Sequence, residues 1–254
     1  KPLDQQPFTK HQKLNMRHLL IIATALLLSG QCFAQLFSKE KILNNENFDK
    51  PWISWGFYLG MNNYDFEFDY EAGVEDDILV TPSGGFNVGL LSNLRINDYL
   101  DLRLEPGLII TQRELQYNES FFDPSTPPQP KDLVRDIKST YVHFPLLLKV
   151  STKRLNNFKP FIIGGLSTAV NLSSNEDNPN DNNSGEFRTK KIMSFYEMGF
   201  GIDFYFEWFK FSPSLRGVFA INDELIRDNQ ADSPWTGSIS HMKTRGIFLN
   251  FTFQ

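Results

Sequence analysis

Charged residues inside otherwise apolar, strand-like segments are the strongest candidates for chemistry in this sequence. Seven of them alternate with apolar neighbours: Asp101, Arg103, Glu105, Lys149, Glu197, Asp203 and Arg216. Such carboxylates can act as a general acid and base or line an ion path. Opposite charges enclosed together can instead neutralise one another. We predict the second arrangement, an ion-pair network inside the fold, because burying an unpaired charge is costly.

Other candidates for catalysis are few. Beyond position 34 the sequence has two histidines, His143 and His241, which fall on different predicted elements and lack the spacing of a metal site. No G-x-S-x-G segment marks a hydrolase nucleophile. The Asn- and Asp-rich segment 175–186 lacks the spacing of a calcium loop. We therefore predict a protein that is not an enzyme and has no metal or cofactor, with a lipid-acting Ser-His-Asp enzyme as the least favoured alternative.

Composition narrows the possible partners. The one cysteine, Cys32, falls in a segment that we assign to a signal peptide, so the exported chain would have no thiol. Removing residues 1–34 takes away four of the 25 basic and one of the 30 acidic residues, and the net charge changes from −5 to −8. Nucleic-acid binding needs a basic footprint, so we predict no nucleic-acid partner. The sequence identifies no small-molecule substrate.

The N-terminal region has the features of an export signal. A basic start at Met16 is followed by a ten-residue apolar run, residues 19–28, and a small residue, Ala34, precedes Gln35. This pattern predicts a signal peptide over residues 16–34, cleaved between Ala34 and Gln35, because the run is too short to span a bilayer.

Residues 1–15 are interpreted as an upstream translated extension or a cloning remnant, and lipidation at Cys32 is disfavoured because the bulky Gln31 precedes it. Residues 35–51 are predicted to form a periplasmic segment, either a polar tether or a short helix.

The segments that would position the charged residues have the period of β-strands. From Trp52 onward apolar and polar residues alternate, as Leu102 and Leu104 do with Arg103 and Glu105. Strands that cross a membrane at a tilt need about 9–11 residues. Eight runs are at least this long: 52–64, 84–95, 99–115, 138–151, 159–172, 191–206, 209–220 and 242–253.

The connections between these runs alternate strictly between short and long. The long ones are 65–83, 116–137, 173–190 and 221–241. Outer-membrane barrels turn tightly in the periplasm and have longer loops outside. We therefore predict an all-β fold over residues 52–254, a single antiparallel up-and-down transmembrane β-barrel of about eight strands. Its termini would be periplasmic and its long loops extracellular, and a soluble barrel or sandwich is the alternative.

Aromatic residues cluster near the predicted short-turn ends of the strands. Outer-membrane barrels have aromatic girdles at the lipid interface. We predict this role, in contact with outer-membrane lipid, for Trp52, Trp55, Tyr99, Phe158, Trp208 and Phe209.

Three segments occur in a characteristic order: Arg103–Leu108, Tyr141–Lys149 and Lys159–Gly165. With the Phe- and Asn-rich composition, they resemble the PorT-like outer-membrane barrels of Bacteroidetes from about Trp52 to the C-terminus. The resemblance implies an accessory protein of the type IX secretion system, which exports proteases and gliding adhesins. Such a protein would act through contacts with other envelope or secretion-system proteins and without catalysis. A small porin-like or structural barrel is the alternative.

Overall fold

The computed structural model describes residues 44–74, 76–123, 125, 127–178, 182, 187–230 and 233–254. The predicted signal peptide, its cleavage between Ala34 and Gln35, and Cys32 lie outside the described residues. So do residues 35–43 and most of the 179–186 part of the Asn-rich loop.

The described residues form nine β-strands and one 3-10 turn (Glu119–Phe121). The strands are β1 (Ile53–Tyr70), β2 (Leu79–Arg95), β3 (Leu100–Leu104), β4 (Gly107–Gln116), β5 (Val134–Ser151), β6 (Phe158–Asn171), β7 (Ile192–Tyr205), β8 (Lys210–Ala220) and β9 (Ile239–Phe253). In this part of the chain, no helix is long and apolar enough to cross a membrane.

All strand pairs are antiparallel, and the sheet closes because β9 pairs with β1. Strands β3 and β4 follow one another between β2 and β5, so they occupy one position in a ring of eight. The predicted all-β antiparallel barrel is confirmed.

The third predicted run, 99–115, is wrong as one uninterrupted strand. It divides into β3 and β4 at Glu105 and Pro106. Proline has no N–H to donate to a strand ladder, so regular pairing stops there. The alternation of faces continues across the break, because Arg103, Glu105 and Ile109 are all buried.

Several strands are longer than predicted at the end that carries the long connections. Strand β1 ends at Tyr70 instead of position 64, and β2 begins at Leu79 instead of position 84. Polar residues such as Asp65 and Glu67 resemble loop residues in sequence, but here they face outward from a paired strand. Strand pairing tolerates them because side-chain alternation places them on the solvent side.

The two ends of the barrel differ in their connections. The short-turn end has the connections 96–99, 152–157 and 206–209, and the long-loop end has 71–78, 117–133, 172–191 and 221–238. The predicted alternation of short and long connections is present.

Burial is inverted relative to a soluble barrel. Along β5 the outward side chains Leu146 and Leu148 are about half exposed, whereas the inward Leu147 and Lys149 are buried. A belt of outward apolar side chains runs around the ring and includes Phe57, Leu59, Leu90, Leu108, Phe144, Ile162, Leu166, Met198, Phe200 and Ile247. An apolar outer belt around a polar interior is the pattern of a barrel that has lipid as its outer solvent.

Candidate functional site

Arg216 is the centre of the charged interior. Its guanidinium extends from β8 and contacts two carboxylates, Glu105 at 2.6 Å and Glu197 at 2.9 Å. All three side chains are almost fully buried. Glu197 is on the neighbouring β7, whereas Glu105 lies at the break between β3 and β4. One arginine therefore ties two separate parts of the barrel wall together across the lumen.

Two further residues extend this cluster. Arg103 Nη1 lies 3.2 Å from Glu105, and its Nε donates to the Asn93 side chain at 3.3 Å. His143 Nε2 lies 2.8 Å from the second oxygen of Glu197. The two arginines balance the two carboxylates, so the charge of the cluster is neutralised within the lumen.

A second ion pair lies nearer the short-turn end. Lys149 Nζ contacts Asp203 at 2.5 Å, and the Ser212 hydroxyl donates to the other Asp203 oxygen at 2.7 Å. The Lys149 ammonium also lies 4.1 Å from the centre of the Phe161 ring, close enough for a cation–π contact.

The structure thus brings six of the seven predicted lumen residues into ion pairs, and it places the seventh, Asp101, beside a cavity that Asp203 also lines. Asp101 lines a cavity of about 230 Å³ at the short-turn end, together with Lys159 and Lys210. The two histidines considered from the sequence lie in different environments. His143 is buried with its ring edge-on to Phe195 and Phe248, whereas the His241 side chain is more than half exposed.

A third buried cluster was missed by sequence reasoning. Arg113 donates to the hydroxyls of Thr244 and Tyr141, each at 3.0 Å. Both hydroxyls in turn donate to the carboxylate of Glu224, from Tyr141 at 2.9 Å. Arg113 has the parity of Arg103 and Glu105, so alternation could have indicated it. Glu224 lies in a long connection, where no period marks an inward residue.

The lumen is closed near the long-loop end by an apolar cluster. Its buried members are Phe66, Ile78, Leu115, Tyr117, Ile137, Phe187, Leu225, Ile239 and Met242. Between this cluster and the ion pairs, side-chain amides form a chain in which Asn62 donates to Asn87 at 2.6 Å and Asn87 donates to Asn250 at 3.1 Å.

The short-turn end is covered by residues 44–51, which form two turns. Arg154 reaches this segment, donating to the Asn45 carbonyl at 3.0 Å, and the Tyr205 hydroxyl donates to Asp49 at 2.6 Å. Burial lowers the pKa of Arg154 from its ordinary value, an effect opposed by Tyr205 and Asp49. The segment therefore packs against the barrel as a cap.

The predicted interface aromatics all lie at or next to the short-turn end. Trp52, Trp55 and Tyr99 are exposed, as are Trp208 and Phe209, and Phe158 is partly buried. Phe209 also lies 6.3 Å from Phe253, in a small group of outward rings. Their contact with lipid stays a prediction.

This interior can hold the wall together, but it offers little room for chemistry. Cations contact Glu105, Glu197 and Asp203, and hydroxyls contact Glu224. The apolar cluster closes the long-loop side, and the cavity of about 230 Å³ lies on the short-turn side. Within the described ranges, no group of His, Cys, Asp and Glu side chains is arranged to hold a metal ion.

Sequence comparison adds the family. Residues 33–225 match the family described as Outer membrane protein beta-barrel domain, which is well over half of the chain. The chain belongs to this family. Membership of the Outer membrane protein beta-barrel domain family places the protein in the outer membrane. Among curated proteins, none matches the chain at a significant level.

Several solved structures are similar to the chain. OprG from Pseudomonas aeruginosa is 14% identical, with 79% of this chain and 93% of OprG covered and a TM-score of 0.43. Neisserial surface protein A is 10% identical, with coverage of 79% and 97% and a TM-score of 0.39. The attachment invasion locus protein Ail of Yersinia pestis, solved with the heparin analogue sucrose octasulfate, is 12% identical, with coverage of 78% and 96% and a TM-score of 0.36.

Proposed function

We propose that this protein is an outer-membrane accessory of type IX protein secretion and gliding, and that it works through contacts with other envelope proteins and not by catalysis. The observation that supports this proposal is the filled lumen. Ion pairs around Arg216 occupy its middle, and packed segments cover both ends. When the interior is occupied, the surfaces left for function are the loops and the rims. The type IX role itself comes from the resemblance of Arg103–Leu108 and the two following segments to PorT-like barrels.

The proposed orientation follows from the connections. In outer-membrane barrels the short turns face the periplasm and the long loops face outward. We therefore infer that the cap of residues 44–51 faces the periplasm and that the four long connections face the exterior. Cysteines introduced singly at Asp98 and at Ser120, in cells that carry Cys32→Ser, test this orientation. An impermeant maleimide should label the Ser120→Cys protein in intact cells and the Asp98→Cys protein only after lysis. The opposite labelling would reverse the orientation.

Deletion of the gene tests the secretion role. The amount of type IX cargo protein in the medium should fall, the amount inside the cell should rise, and gliding should stop. Re-expression of the unaltered chain is the control and should restore both. Unchanged export of all cargo in the deletion strain would contradict the proposal. Affinity purification from native outer membranes would then identify the proteins that contact the barrel.

A structural barrel without a secretion role is the second candidate, because buried ion pairs that connect the wall strands are sufficient for a purely structural protein. Bilayer conductance separates both from a porin. The purified protein should give no stable open channel, since side chains occupy an eight-stranded lumen. Steady conductance would favour the porin-like alternative and weaken both other proposals.

A further inference from the structure

Strands β1 and β2 stop pairing part-way along the hairpin that they form. Their register runs without a shift from Ile53 opposite Leu94 to Asn63 opposite Gly84, so the residue numbers of each facing pair add to 147. Continuing this register would place Phe66 opposite Thr81. Instead, β1 continues to Tyr70 paired only with β9, and β2 starts at Leu79 paired with β4. Among the described pairings, each strand therefore has an unpaired edge beyond position 63 or 84.

A bulge in β2 accounts for the separation. The register of β2 against β4 shifts between Ser83 and Phe86, and two glycines, Gly84 and Gly85, lie in this shift. A bulge bends its strand and reverses which face the following side chains use. Glycine permits such a bend because it has no side chain to pack. Strand β2 thus follows β4 beyond this point and leaves β1.

The separation forms a groove of about 600 Å³ on the side of the barrel. Its apolar lining is Phe66, Phe68, Ile78, Leu79 and Val80, and its charged lining is Asp65, Glu67, Asp77 and Arg245. The last exposed apolar residue that faces outward on β1 before the groove is Met61. The groove therefore lies on the long-loop side of the apolar belt.

Side chains satisfy two backbone donors beside this groove. The Phe66 N–H donates to the Asp65 carboxylate at 2.9 Å, and the Ile78 N–H donates to the Tyr70 hydroxyl at 2.8 Å. A strand edge without a neighbour is a template for pairing with another chain. Local side chains are weak substitutes for a strand, because an incoming backbone would supply a whole row of donors and acceptors.

We propose that the unpaired edge of β1, Tyr64–Tyr70, accepts an extended segment of a partner protein by β-strand addition, and that this segment alternates basic and apolar residues. This inference deepens the proposed function, because it assigns to the protein contacts a surface and a partner chemistry. It rests on that proposal only in supposing that a protein partner exists.

The opposite edge of β1 shows which residue pattern this strand accepts. There β9 places Arg245 opposite Asp65, Lys243 opposite Glu67 and His241 opposite Asp69. Opposite charges in directly facing positions stabilise strand pairs. Between these charged positions, the inward residues Thr244 and Met242 of β9 pair with Phe66 and Phe68. A segment added on the free edge meets the same carboxylates and the same rings from the other side, and Asp77 adds a further negative charge to the groove.

The edge of β2 is the poorer acceptor of the two. It carries Pro82 and the bulge at Gly84, and both features are typical of edges that avoid pairing. The edge of β1 from Tyr64 to Tyr70 contains no proline or glycine. The added segment therefore pairs with β1.

Peptide binding to the full-length protein in detergent tests this proposal. The probe is a fluorescent peptide of alternating Lys and Val, about as long as the free edge, with carbonyl ¹³C labels. It should bind saturably by fluorescence anisotropy, and its labelled amide I band should shift to the strand position. A Glu-Val peptide of equal length and a Lys-Pro peptide of equal charge should not bind. Equal binding of the Lys-Pro peptide would overturn strand addition, because proline cannot complete the ladder.

Matched variants locate the site. The combined change Asp65→Asn, Glu67→Gln and Asp69→Asn should weaken binding about tenfold, since it removes three facing charges. The control, Glu114→Gln with Asp136→Asn, alters acidic residues that face each other on paired strands β4 and β5 and should have no effect. Heat-modifiable migration in gels verifies that each variant is folded. An equal loss in the control, or no loss in the triple variant, would overturn the assignment to β1.

The outcome is separable from that of the proposed function. Normal cargo export in the triple variant, combined with tight peptide binding to the unaltered protein, would place the secretion contacts elsewhere and retain the groove. Absence of peptide binding, combined with a secretion defect on gene deletion, would retain the accessory role and remove the groove.

Discussion

The two halves of the lumen bury an arginine in different ways. Nearer the short-turn end, Arg216 contacts Glu105 and Glu197 directly. Nearer the long-loop end, Arg113 donates to hydroxyls, which pass the interaction on to Glu224, and its guanidinium lies 3.8 Å from the centre of the Phe66 ring. Both arginines are fully buried. The first is stabilised by ion pairs and the second by a relay of hydroxyls and an aromatic face.

The difference follows the closure of the barrel. The Arg216 cluster joins β7 and β8, which pair without interruption around it, to Glu105 at the break between β3 and β4, so wall residues face one another across the lumen. Around Arg113 the ring is already loosened between β1 and β2, and a connection residue, Glu224, supplies the carboxylate. Direct pairing therefore joins residues of the barrel wall, and the relay lies where a loop residue, Glu224, enters the interior.

Removal of the directly paired arginine should have the largest effect. Arg216→Met leaves Glu105 and Glu197 without their shared cation, which costs about 3–5 kcal/mol when a buried pair loses one partner. The measurement is the free energy of unfolding in urea, with the protein in lipid vesicles. A loss below about 1 kcal/mol, the range of surface pairs, would show that water reaches the cluster.

The relay arginine should be less critical. Arg113→Met leaves Tyr141 and Thr244 still donating to Glu224, so we expect a loss of about 1–3 kcal/mol, the cost of unmade buried hydrogen bonds. The same unfolding experiment provides the comparison. Equal losses for Arg113→Met and Arg216→Met would remove the distinction between the two halves.

Sequence reasoning reached one half of the lumen better than the other. Strand alternation identified Arg103, Glu105 and Arg216 because side chains with a period of two must share a face. It did not anticipate the role of Glu224, since a connection has no period and this contact joins residues far apart in the chain. The unpaired edge of β1 was also not anticipated. It results from a bulge in β2, which depends on how β2 pairs with both β1 and β4, and the sequence of one strand does not show this pairing. Pairing partners within the ion network depend equally on the register of strands on different sides of the barrel.

A single hydroxyl tests the relay more finely. Tyr141→Phe removes one donor to Glu224 and one acceptor for Arg113, while Thr244 and Ser139 retain their contacts with these groups. We expect a loss of about 1–2 kcal/mol, as for one buried hydrogen-bonded group. Tyr205→Phe, which removes a hydroxyl that contacts Asp49 at the short-turn cap, is a control outside the relay. If Tyr141→Phe left the free energy of unfolding unchanged, the Thr244 hydroxyl alone would be enough to hold Glu224.

The smallest effect is expected at an ion pair on the outer surface. Arg245 contacts Asp65 at 3.0 Å, but nearly half of its side chain is exposed, and water screens such pairs. Arg245→Met should therefore cost no more than about 1 kcal/mol in the unfolding experiment. The same change should alter the groove beside β1, because it removes the cation that partly neutralises Asp65 and Glu67 there. Stability and the affinity for the Lys-Val peptide should thus diverge, with little change in the first and tighter binding in the second. A large loss of stability would show instead that the pairing of β1 with β9 depends on this ion pair. The backbone hydrogen bonds between these two strands would then contribute less to stability than their number indicates.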